Sequence, residues 1–348
     1  MNQLFHLQKN KPLLELRSTI IRAMREFFWQ EGFLEVETPL LLKLPGQEPH
    51  LSPMKAILHN ERGETFNGYL HTSPEYAMKK MLAAGFDRIF SLGKVFRDRE
   101  SFGGAHNPEF TMMEWYRAHV PFWTLMEDLE NMLQYIIQKL AKLETGNWKL
   151  QSQFPSFEFR VSSFERIHMR DLWRKYADVN LDKYLDQPSL LSLCRQKGYA
   201  ASDDEPYEDL FYRIFLNEIE PRIETENPLI IHHYPAPMAA LAKLSDDDTR
   251  YAERFELYWK GMELANAFTE LTDATEQRRR LEEERERRQA LKKDVFDIDE
   301  DFLDAVGRMP PSSGIALGVD RLVMALTGCE KIEDVIALPA SVLFQTRE

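Results

Sequence analysis

The sequence predicts an α+β protein, built on an antiparallel β-sheet that helices flank. Three observations support this class: a long amphipathic helix near the start of the chain, two segments that fit strand–turn–strand hairpins, and a strand followed at once by a helix near the end. The chain has 348 residues, which is enough for a sizeable core. We expect one domain over residues 1–348, with a mostly helical insertion at about 161–227.

The first predicted helix covers Leu13–Phe33. Apolar residues recur along it at the spacing of one helix face, and Gly32 stands where a C-cap is expected. Phe33–Leu42 then fits an extended segment that ends at Pro39. About a dozen residues precede the helix, which by itself could equally be an ordinary surface element.

The central predicted hairpin joins strands at Arg88–Arg97 and Glu109–Arg117 through a loop that contains Gly103 and Gly104. Side chains alternate between the two faces of a strand. The second strand therefore presents four side chains on one face: Phe110, Met112, Glu114 and Tyr116. A ring, a carboxylate and a phenol on one surface, with Arg97 nearby, suit a stacked base, a cationic ligand and a phosphate. The alternative is a half-buried hairpin whose charges face water.

A second hairpin is predicted over Arg254–Leu271, with Lys260 and Gly261 as a two-residue turn. The register then contains two pairs: Tyr258 with Glu263, and Glu256 with Ala265. In this register the two glutamates lie roughly 7–8 Å apart on one face. Two like charges at this distance repel unless a cation lies between them, and Mg²⁺ is commonly held by one or two carboxylates plus substrate phosphates. The alternative is a solvated acidic face.

The remaining elements are predicted from weaker or more local signals. Four further helices and one strand are expected: the helices Glu75–Ala84, Pro121–Leu143 and the highly charged Asp273–Lys293, and a strand at Ser313–Gly318 that leads into a fourth helix from Val319. Ser73 and Pro74 fit the N-cap and N1 positions of the first of these helices. His232 and His233 are adjacent on a predicted strand, so they should point to opposite faces and hold no metal. Glu48–Gly68 is rich in turn residues, and Asn147–Arg160 carries little signal.

The composition limits the classes of function. The formal net charge is −13, from 44 basic and 57 acidic residues, which argues against a protein built around nucleic acid. Cys194 and Cys329 are the two cysteines, so we expect a reducing, cytoplasmic location and no disulfide framework. No apolar run is long enough for a signal peptide or a membrane span, and we expect no membrane partner.

Three motifs give a family resemblance. Glu37–Leu41 (ETPLL) resembles the end of motif 1 of class II aminoacyl-tRNA synthetases of the lysyl subgroup, VFR with HNPEFTMMEWY resembles motif 2, and Gly314–Leu326 (GIALGVDRLVMAL) resembles motif 3. Within that group the chain is most similar to the lysyl-tRNA synthetase paralogues that modify elongation factor P. The resemblance implies a class II synthetase-like fold, a homodimer formed through motif 1, and the cofactors ATP and Mg²⁺. It also implies activation of lysine or β-lysine and transfer to a lysine of elongation factor P.

The same resemblance assigns site residues. It implies amino-acid contacts from Ser73, Pro74, Glu75, Glu114, Tyr116, Asn266, Glu270 and Ala316. It implies ATP contacts from Arg97, Asp98, Arg99, His106, Asn107, Phe110, Glu263, Leu264, Gly318 and Arg321. The metal would be held by Glu256 and Glu263, and catalysis would rest on these two glutamates with Arg97 and Arg321.

The chain departs from the family pattern at several positions. Arg99 stands where motif 2 has a glutamate, which is delayed here to Glu100. Ala316 replaces the glycine of lysyl-tRNA synthetases, and its methyl group could favour (R)-β-lysine over the α isomer. Strict alternation places Glu270 on the opposite face from Glu263, so both can reach one ligand only if a β-bulge intervenes. The family has a glycine at a natural bulge position where this chain has Ala267.

Two alternatives remain open at this point. One is a stripped lysyl-tRNA synthetase acting on tRNA, or an amide-forming relative such as ammonia-dependent asparagine synthetase. We expect no anticodon-binding domain before the first helix, which makes tRNA an unlikely partner, and Glu114 and Glu270 suit a cationic substrate better than aspartate. The other is a catalytically silent paralogue that acts as a regulatory subunit, which Arg99 favours and the retained arginines and glutamates disfavour.

Overall fold

The computed structural model describes residues 2–144, 161, 163–223 and 227–344. The strands are β1 (Leu34–Glu35), β2 (Leu41–Leu42), β3 (Lys55–His59), β4 (Thr65–Leu70), β5 (Arg88–Phe96), β6 (Glu109–Ala118), β7 (Glu165–His168), β8 (Leu229–Pro235), β9 (Tyr251–Trp259), β10 (Met262–Thr269) and β11 (Ser312–Gly318). The α-helices are α1 (Gln3–Gln30), α2 (Glu75–Ala83), α3 (Phe122–Glu144), α4 (Met169–Ala177), α5 (Gln187–Gln196), α6 (Tyr207–Ile214), α7 (Ala274–Ala290), α8 (Glu300–Arg308), α9 (Val319–Thr327), α10 (Ile332–Val335) and α11 (Ala340–Leu343).

A large sheet forms the centre of the molecule. Within the described residues it has eight strands in the order β1-β5-β6-β11-β10-β9-β8-β7. Its inner pairs are antiparallel, and only the edge strands β1 and β7 pair in parallel with their neighbours. The predicted α+β class with a helix-flanked antiparallel sheet is therefore confirmed. Both predicted hairpins, β5–β6 and β9–β10, pair as neighbours in this sheet.

Alternation along the strands gives the sheet one apolar face and one polar face. On β6, Met113 and Trp115 join a buried apolar cluster with residues of α1, α3 and α9. The intervening side chains of β6 point away from that cluster and line a cavity instead. The three helices thus cover one face of the sheet and leave the other face available for ligands.

The first helix is longer than predicted. It begins at Gln3 and not at Leu13, and it contains Pro12 in its interior. A proline removes one backbone hydrogen bond and usually ends a helix. Here tertiary contacts keep the first turns helical, because the buried His6 ring lies 3.2 Å from the carbonyl oxygen of Ile336. The predicted C-cap region is correct, since the helix ends at Gln30 and Gly32 has a φ of 78°.

The turn-rich segment before α2 contains strands that the sequence did not predict. Strands β3 and β4 form an antiparallel hairpin, and β2 joins them in a small three-stranded sheet. Asn60 makes the connecting turn, because its side-chain oxygen accepts hydrogen bonds from the backbone N–H groups of Arg62 and Glu64. The local turn signal was read correctly, but strands as short as these depend on pairing that a local pattern does not contain.

The described part of the predicted insertion is mainly helical. Helices α4 to α6 share an apolar cluster with Leu229, Ile231 and Tyr258 of the large sheet. Asn147–Arg160 lies outside the described residues. No helix among the described residues is long and apolar enough to cross a membrane.

The two adjacent histidines do not point to opposite faces. A bulge interrupts the pairing of β8 with β9 after His232, and His233 has a φ of 60°. The two Nδ1 atoms therefore lie 2.6 Å apart. The premise of strict alternation was wrong here, yet the described residues contain no set of three or more His, Cys, Asp or Glu side chains arranged to hold a metal ion.

Candidate active site

A cavity of about 430 Å³ lies on the polar face of the large sheet. Strands β6, β10 and β11 form its floor, and α2, α7 and the loop between β5 and β6 contribute to its walls. All four side chains predicted to share one face of β6 line it: Phe110, Met112, Glu114 and Tyr116. The prediction from strand alternation is confirmed.

The pairing register places one residue from each of four strands in a row, and three of the four are polar. Glu114 of β6 is opposite Ala316 of β11, Ala316 is opposite Asn266 of β10, and Asn266 is opposite Glu256 of β9. Asn266 Oδ1 is buried without a hydrogen-bond partner among the described residues. An unpaired buried acceptor of this kind costs about 1–3 kcal/mol unless a ligand satisfies it.

The β9–β10 hairpin confirms one predicted pair and corrects the other. Lys260 and Gly261 have φ values of 52° and 71°, which suit a tight two-residue turn, and Tyr258 pairs with Glu263 as predicted. Glu256, however, pairs with Asn266 and not with Ala265, because the register shifts between Glu263 and Ala265.

This shift is the β-bulge that the sequence required. It lies at Leu264 and not at Ala267, where the family resemblance suggested it. One extra residue inverts the alternation, so Glu263 and Asn266 both line the cavity, whereas Glu270, for which the bulge was predicted, lies beside the cavity and does not line it.

The acidic end of the cavity is built around Glu114. Its side chain is buried, Ser73 Oγ donates to Oε1 at 2.5 Å, and the Tyr116 hydroxyl donates to Oε2 at 3.2 Å. Burial, aided by the nearby Glu75 carboxylate, raises the pKa of Glu114 to about 8. The pocket without a ligand therefore holds Glu114 largely protonated at neutral pH, and a bound cation would favour its ionised form.

Ser73 has a second role at the start of α2. Its Oγ accepts a hydrogen bond from the backbone N–H of Glu75 at 3.0 Å, while Pro74 occupies the cap position without a side-chain hydrogen bond. The predicted cap position at Ser73 is therefore wrong by one residue, although the Ser73 side chain both bonds to the first turn and faces the pocket as expected. Pro74 itself is buried and does not line the cavity.

A buried lysine, which the sequence analysis missed, joins Glu75 of the cavity wall to Glu270. Glu270 was predicted to contact the amino acid, but it does not line the cavity and lies beside the wall at Gly314. Lys79 Nζ is fully buried and lies 2.6 Å from Glu75 Oε1 and 2.6 Å from Glu270 Oε2. Glu270 is also fully buried, and its Oε1 has no hydrogen-bond partner among the described residues. The signal was present as an i,i+4 Glu–Lys pair on a predicted helix, but such pairs are usually surface features.

A glycine makes room for this arrangement. A Cβ atom at Gly314 would lie 2.1 Å from the Tyr116 ring and 2.5 Å from Glu270 Oε1. No side chain fits at that distance, so Gly314 is needed for the packing of both residues. At Gly318 a Cβ would make only ordinary contacts, the nearest at 3.8 Å.

The other end of the cavity carries two arginines. The Arg97 guanidinium lies over the Phe110 ring, 5.1 Å from its centroid. Arg321, in the first turn of α9, donates to the carbonyl oxygen of Glu263 at 2.8 Å, and its Nη2 lies 3.3 Å from His106 Nε2. Arg97 and Arg321 line the same cavity. Burial lowers the pKa of Arg97, and the nearby positive charge of Arg321 acts in the same direction. Two positive groups beside an aromatic face suit a polyphosphate with an attached base.

The two glutamates predicted to hold a metal have different surroundings. Glu263 lines the cavity, and burial together with repulsion by Glu256 raises its pKa to about 7. Glu256 is buried and does not line the cavity, because Arg254, Tyr234 and Tyr258 all donate hydrogen bonds to it at 2.6–3.0 Å. The residues fit a Mg²⁺ ion that is held by one carboxylate and by substrate phosphates, with Glu263 as the protein ligand.

Three predicted ATP contacts have other positions or partners. Asp98 and Arg99 are exposed and do not line the cavity, because the loop turns outward where Arg99 adopts a φ of 63°. Asn107 lines the cavity, but both ends of its amide are used by the backbone: it donates to Glu109 at 2.6 Å and accepts from Ala340 at 2.9 Å.

Other predicted residues line the cavity as expected, namely Ser73, Glu75, His106, Leu264, Asn266, Ala316 and Gly318. Four further carboxylates in its wall were not predicted as site residues, namely Glu48, Glu100, Glu284 and Asp320. Burial raises the pKa of Glu48 and that of Glu284, the latter to about 8. They come from segments far apart in the chain, and no local pattern would have brought them together.

Comparison with known proteins agrees with this geometry. The family model described as tRNA synthetases class II (D, K and N) matches residues 3–342. A protein of Haemophilus influenzae strain PittGG, named elongation factor P–(R)-beta-lysine ligase, is 39% identical over 342 residues, which cover 97% of this chain and 98% of the relative. Proteins with the same name from Salmonella typhi (39% over 328 residues, 94% of each chain) and Yersinia enterocolitica (36% over 345 residues, 97% of this chain and 99% of the relative) are also similar. The chain therefore belongs to the class II tRNA synthetases of the D, K and N type.

Proposed function

We propose that this protein is an ATP-dependent ligase that activates a lysine-type amino acid, (R)-β-lysine in particular, and transfers it to a lysine side chain of elongation factor P. The observation that carries the proposal is one cavity that Glu75 and Glu114 line at one end, with the buried Glu270 beside its wall at Gly314, and that Arg97, Arg321 and the Phe110 ring line at the other end. This polarity fits a substrate with two ammonium groups that must present its carboxylate to a nucleotide. The names of the relatives supply the acceptor.

The acidic end would bind the amino acid. Glu75 and Glu114 offer carboxylates from the cavity wall, Glu270 offers its unpaired Oε1 from beside Gly314, and Asn266 Oδ1 offers an unpaired acceptor. Charge-assisted hydrogen bonds of this kind contribute about 1.5–3 kcal/mol each. Ala316, in the same row as Glu114 and Asn266, limits the space at the pocket floor.

The first step would form an aminoacyl adenylate. The substrate carboxylate attacks the α-phosphorus of ATP, the bond to the bridging oxygen of the β-phosphate breaks, and pyrophosphate leaves. Arg97 and Arg321 stabilise the negative charge that develops on the phosphate oxygens. Because Arg97 covers Phe110 in this structure, a base that stacks on Phe110 requires the guanidinium to turn toward the phosphates.

A Mg²⁺ ion bound at Glu263 would supply charge neutralisation for the phosphates. Glu256 would orient this region through Arg254, because its carboxylate accepts a hydrogen bond from the Arg254 guanidinium at 2.6 Å.

The second step would form an amide on the acceptor. The deprotonated lysine amine attacks the acyl carbon, and the bond between that carbon and the AMP oxygen breaks. We favour a protein acceptor over tRNA because the net charge of −13 opposes a nucleic acid surface. The same charge would attract a basic loop on a protein partner.

Assembly and location form a further part of the proposal. We propose a homodimer through the motif 1 region, where large apolar side chains are exposed: Trp29, Leu34, Leu40, Leu41 and Ile57. We treat residues 1–348 as one catalytic domain that carries the 161–227 segment as an insertion. A cytoplasmic location fits an ATP-dependent enzyme in which Cys194 and Cys329 are free thiols.

Two measurements test the proposed function. The first is exchange of radiolabelled pyrophosphate into ATP in the presence of L-lysine, (R)-β-lysine or norleucine, and we expect exchange with a diamino acid and none with norleucine. The second is the intact mass of elongation factor P before and after reaction, which should rise by one aminoacyl group. If neither L-lysine nor (R)-β-lysine supports exchange, the substrate assignment is refuted.

The remaining outcomes separate the alternatives. Labelled amino acid on tRNA, and not on protein, would support a stripped synthetase. ATP binding without any exchange would support a silent regulatory paralogue.

A further inference from the structure

Lys79 is the least expected group in the amino-acid pocket. It lies on α2, its side chain is fully buried, and its Nζ sits between Glu75 Oε1 and Glu270 Oε2 at 2.6 Å from each. A buried ammonium is costly unless it is paired, and here it has two partners. Both partners are residues to which we assign substrate contacts.

The charges around Lys79 can be counted. Three carboxylates lie at this end, Glu75 and Glu114 in the cavity wall and Glu270 beside it, and Lys79 supplies one positive charge. When all three carboxylates are ionised, these four groups together carry two uncompensated negative charges. That number equals the two ammonium groups of a diamino acid.

Lys79 also pairs with only one oxygen of each carboxylate, which leaves the other oxygen available to a ligand. It uses Oε1 of Glu75 and Oε2 of Glu270. Among the described residues neither oxygen of Glu270 has a hydrogen bond; Oε2 has the ion pair with Lys79, whereas Oε1, buried next to Gly314, has no partner at all. An unpaired buried carboxylate oxygen indicates that a donor from a ligand belongs there.

We propose that Lys79 is a positioning residue for amino-acid recognition, an internal counter-ion that holds Glu75 and Glu270 and leaves the pocket two negative charges for a diamino acid. This inference rests on the proposed function. A surface lysine of the same helix behaves differently: Lys80 pairs with Asp299 at 2.7 Å outside the cavity.

The test compares Lys79→Met with Lys80→Met as the matched control. In the Lys79 variant we expect the KM for the diamino acid to rise about 10- to 100-fold, because one or two charge-assisted hydrogen bonds to the substrate would be lost. The KM for ATP should stay within about 2-fold of wild type. The acid limb of kcat/KM should also move to higher pH, because Lys79 lowers the pKa of both Glu114 and Glu270. The Lys80 variant should change neither quantity.

A second variant guards against a folding defect. Lys79→Arg keeps the charge, and so the fold, but its fork takes both oxygens of a carboxylate. We expect a wild-type acid limb and an amino-acid KM raised about 10-fold. An amino-acid KM that matches wild type in Lys79→Arg, or a Lys79→Met variant that behaves like Lys80→Met, would overturn the inference. Because wild-type exchange activity is measured in parallel, its absence would indicate failure of the proposed function instead.

Discussion

Substitution of Gly314 by alanine should damage the amino-acid pocket more than any other one-carbon change in the sheet that we can identify. The added Cβ would lie 2.1 Å and 2.4 Å from two Tyr116 ring carbons and 2.5 Å from Glu270 Oε1. Carbon atoms in contact prefer roughly 3.5–4.0 Å, so the ring would have to retreat by about 1.4 Å or more. Over-packing of this kind costs about 1–3 kcal/mol of unfolding free energy.

The displacement would be passed on to the substrate contacts. Tyr116 donates a hydrogen bond to Glu114, and Glu270 is tied to Lys79. A misplacement of about 1 Å at a positioned group can cost about 100-fold in rate. We therefore expect kcat/KM for the amino acid to fall about 100-fold, while the KM for ATP changes by less than about 3-fold.

Pyrophosphate exchange at varied amino acid and ATP concentrations measures both constants, and urea denaturation measures the stability. Gly93→Ala is the matched control, because Gly93 lies in the same sheet and a Cβ there meets no atom within 4 Å. This control should stay within about 0.5 kcal/mol of wild type. If the Gly314 variant had wild-type stability and a wild-type amino-acid KM, the close packing that we derive around this glycine would be wrong.

Three further predictions concern other parts of the site and its support. Burial raises the pKa of Glu114 from 4.5 to about 8, so the folded chain keeps a proton that the unfolded chain releases. The stability that this group contributes is therefore fully present below about pH 4.5 and is lost as the pH rises through 8. In urea denaturation between pH 5 and pH 9, Glu114→Gln should make the unfolding free energy fall less steeply with pH than in wild type. Equal slopes in the two proteins would contradict the pKa shift. Asp320→Asn should lower the unfolding free energy by about 3 kcal/mol, because Asp320 accepts a hydrogen bond from Arg17 at 2.6 Å in a largely buried ion pair. Asp334→Asn, which removes the more exposed pair with Lys9, should lower it by less than about 1 kcal/mol in the same assay. Ala316→Gly should shift the ratio of kcat/KM for the two lysine isomers about 10-fold toward the α isomer, roughly the value of one methyl group in a pocket, and an unchanged ratio would remove Ala316 from the specificity argument.

Several parts of the site were predictable because they depend on local rules. Alternation along β6 placed Phe110 and Glu114 on one face, and both line the cavity. The Lys260–Gly261 turn fixed the pair Tyr258–Glu263, since a two-residue turn sets the register of the residues next to it. The need for a bulge followed from the same alternation, but its position at Leu264 did not, because a bulge is selected by packing against neighbouring strands.

The partners of charged groups were not predictable. The sequence allowed Glu256 and Glu263 to share a cation, whereas the fold gives Glu256 to Arg254 and two tyrosines. Lys79 resembled a surface ion-pair partner and is instead fully buried. The helix predicted to begin at Leu13 begins at Gln3, because contacts with the segment near Ile336 stabilise its first turns.

The sequence by itself determined the family, the central hairpins and the set of residue types at the site, because motifs and strand periodicity are encoded over a few consecutive positions. The tertiary structure decided which carboxylates face the cavity, which are already neutralised, and how many charges remain for a ligand. Those quantities depend on distances of a few ångströms between segments far apart in the chain, and on burial, which sets the strength of every charge interaction.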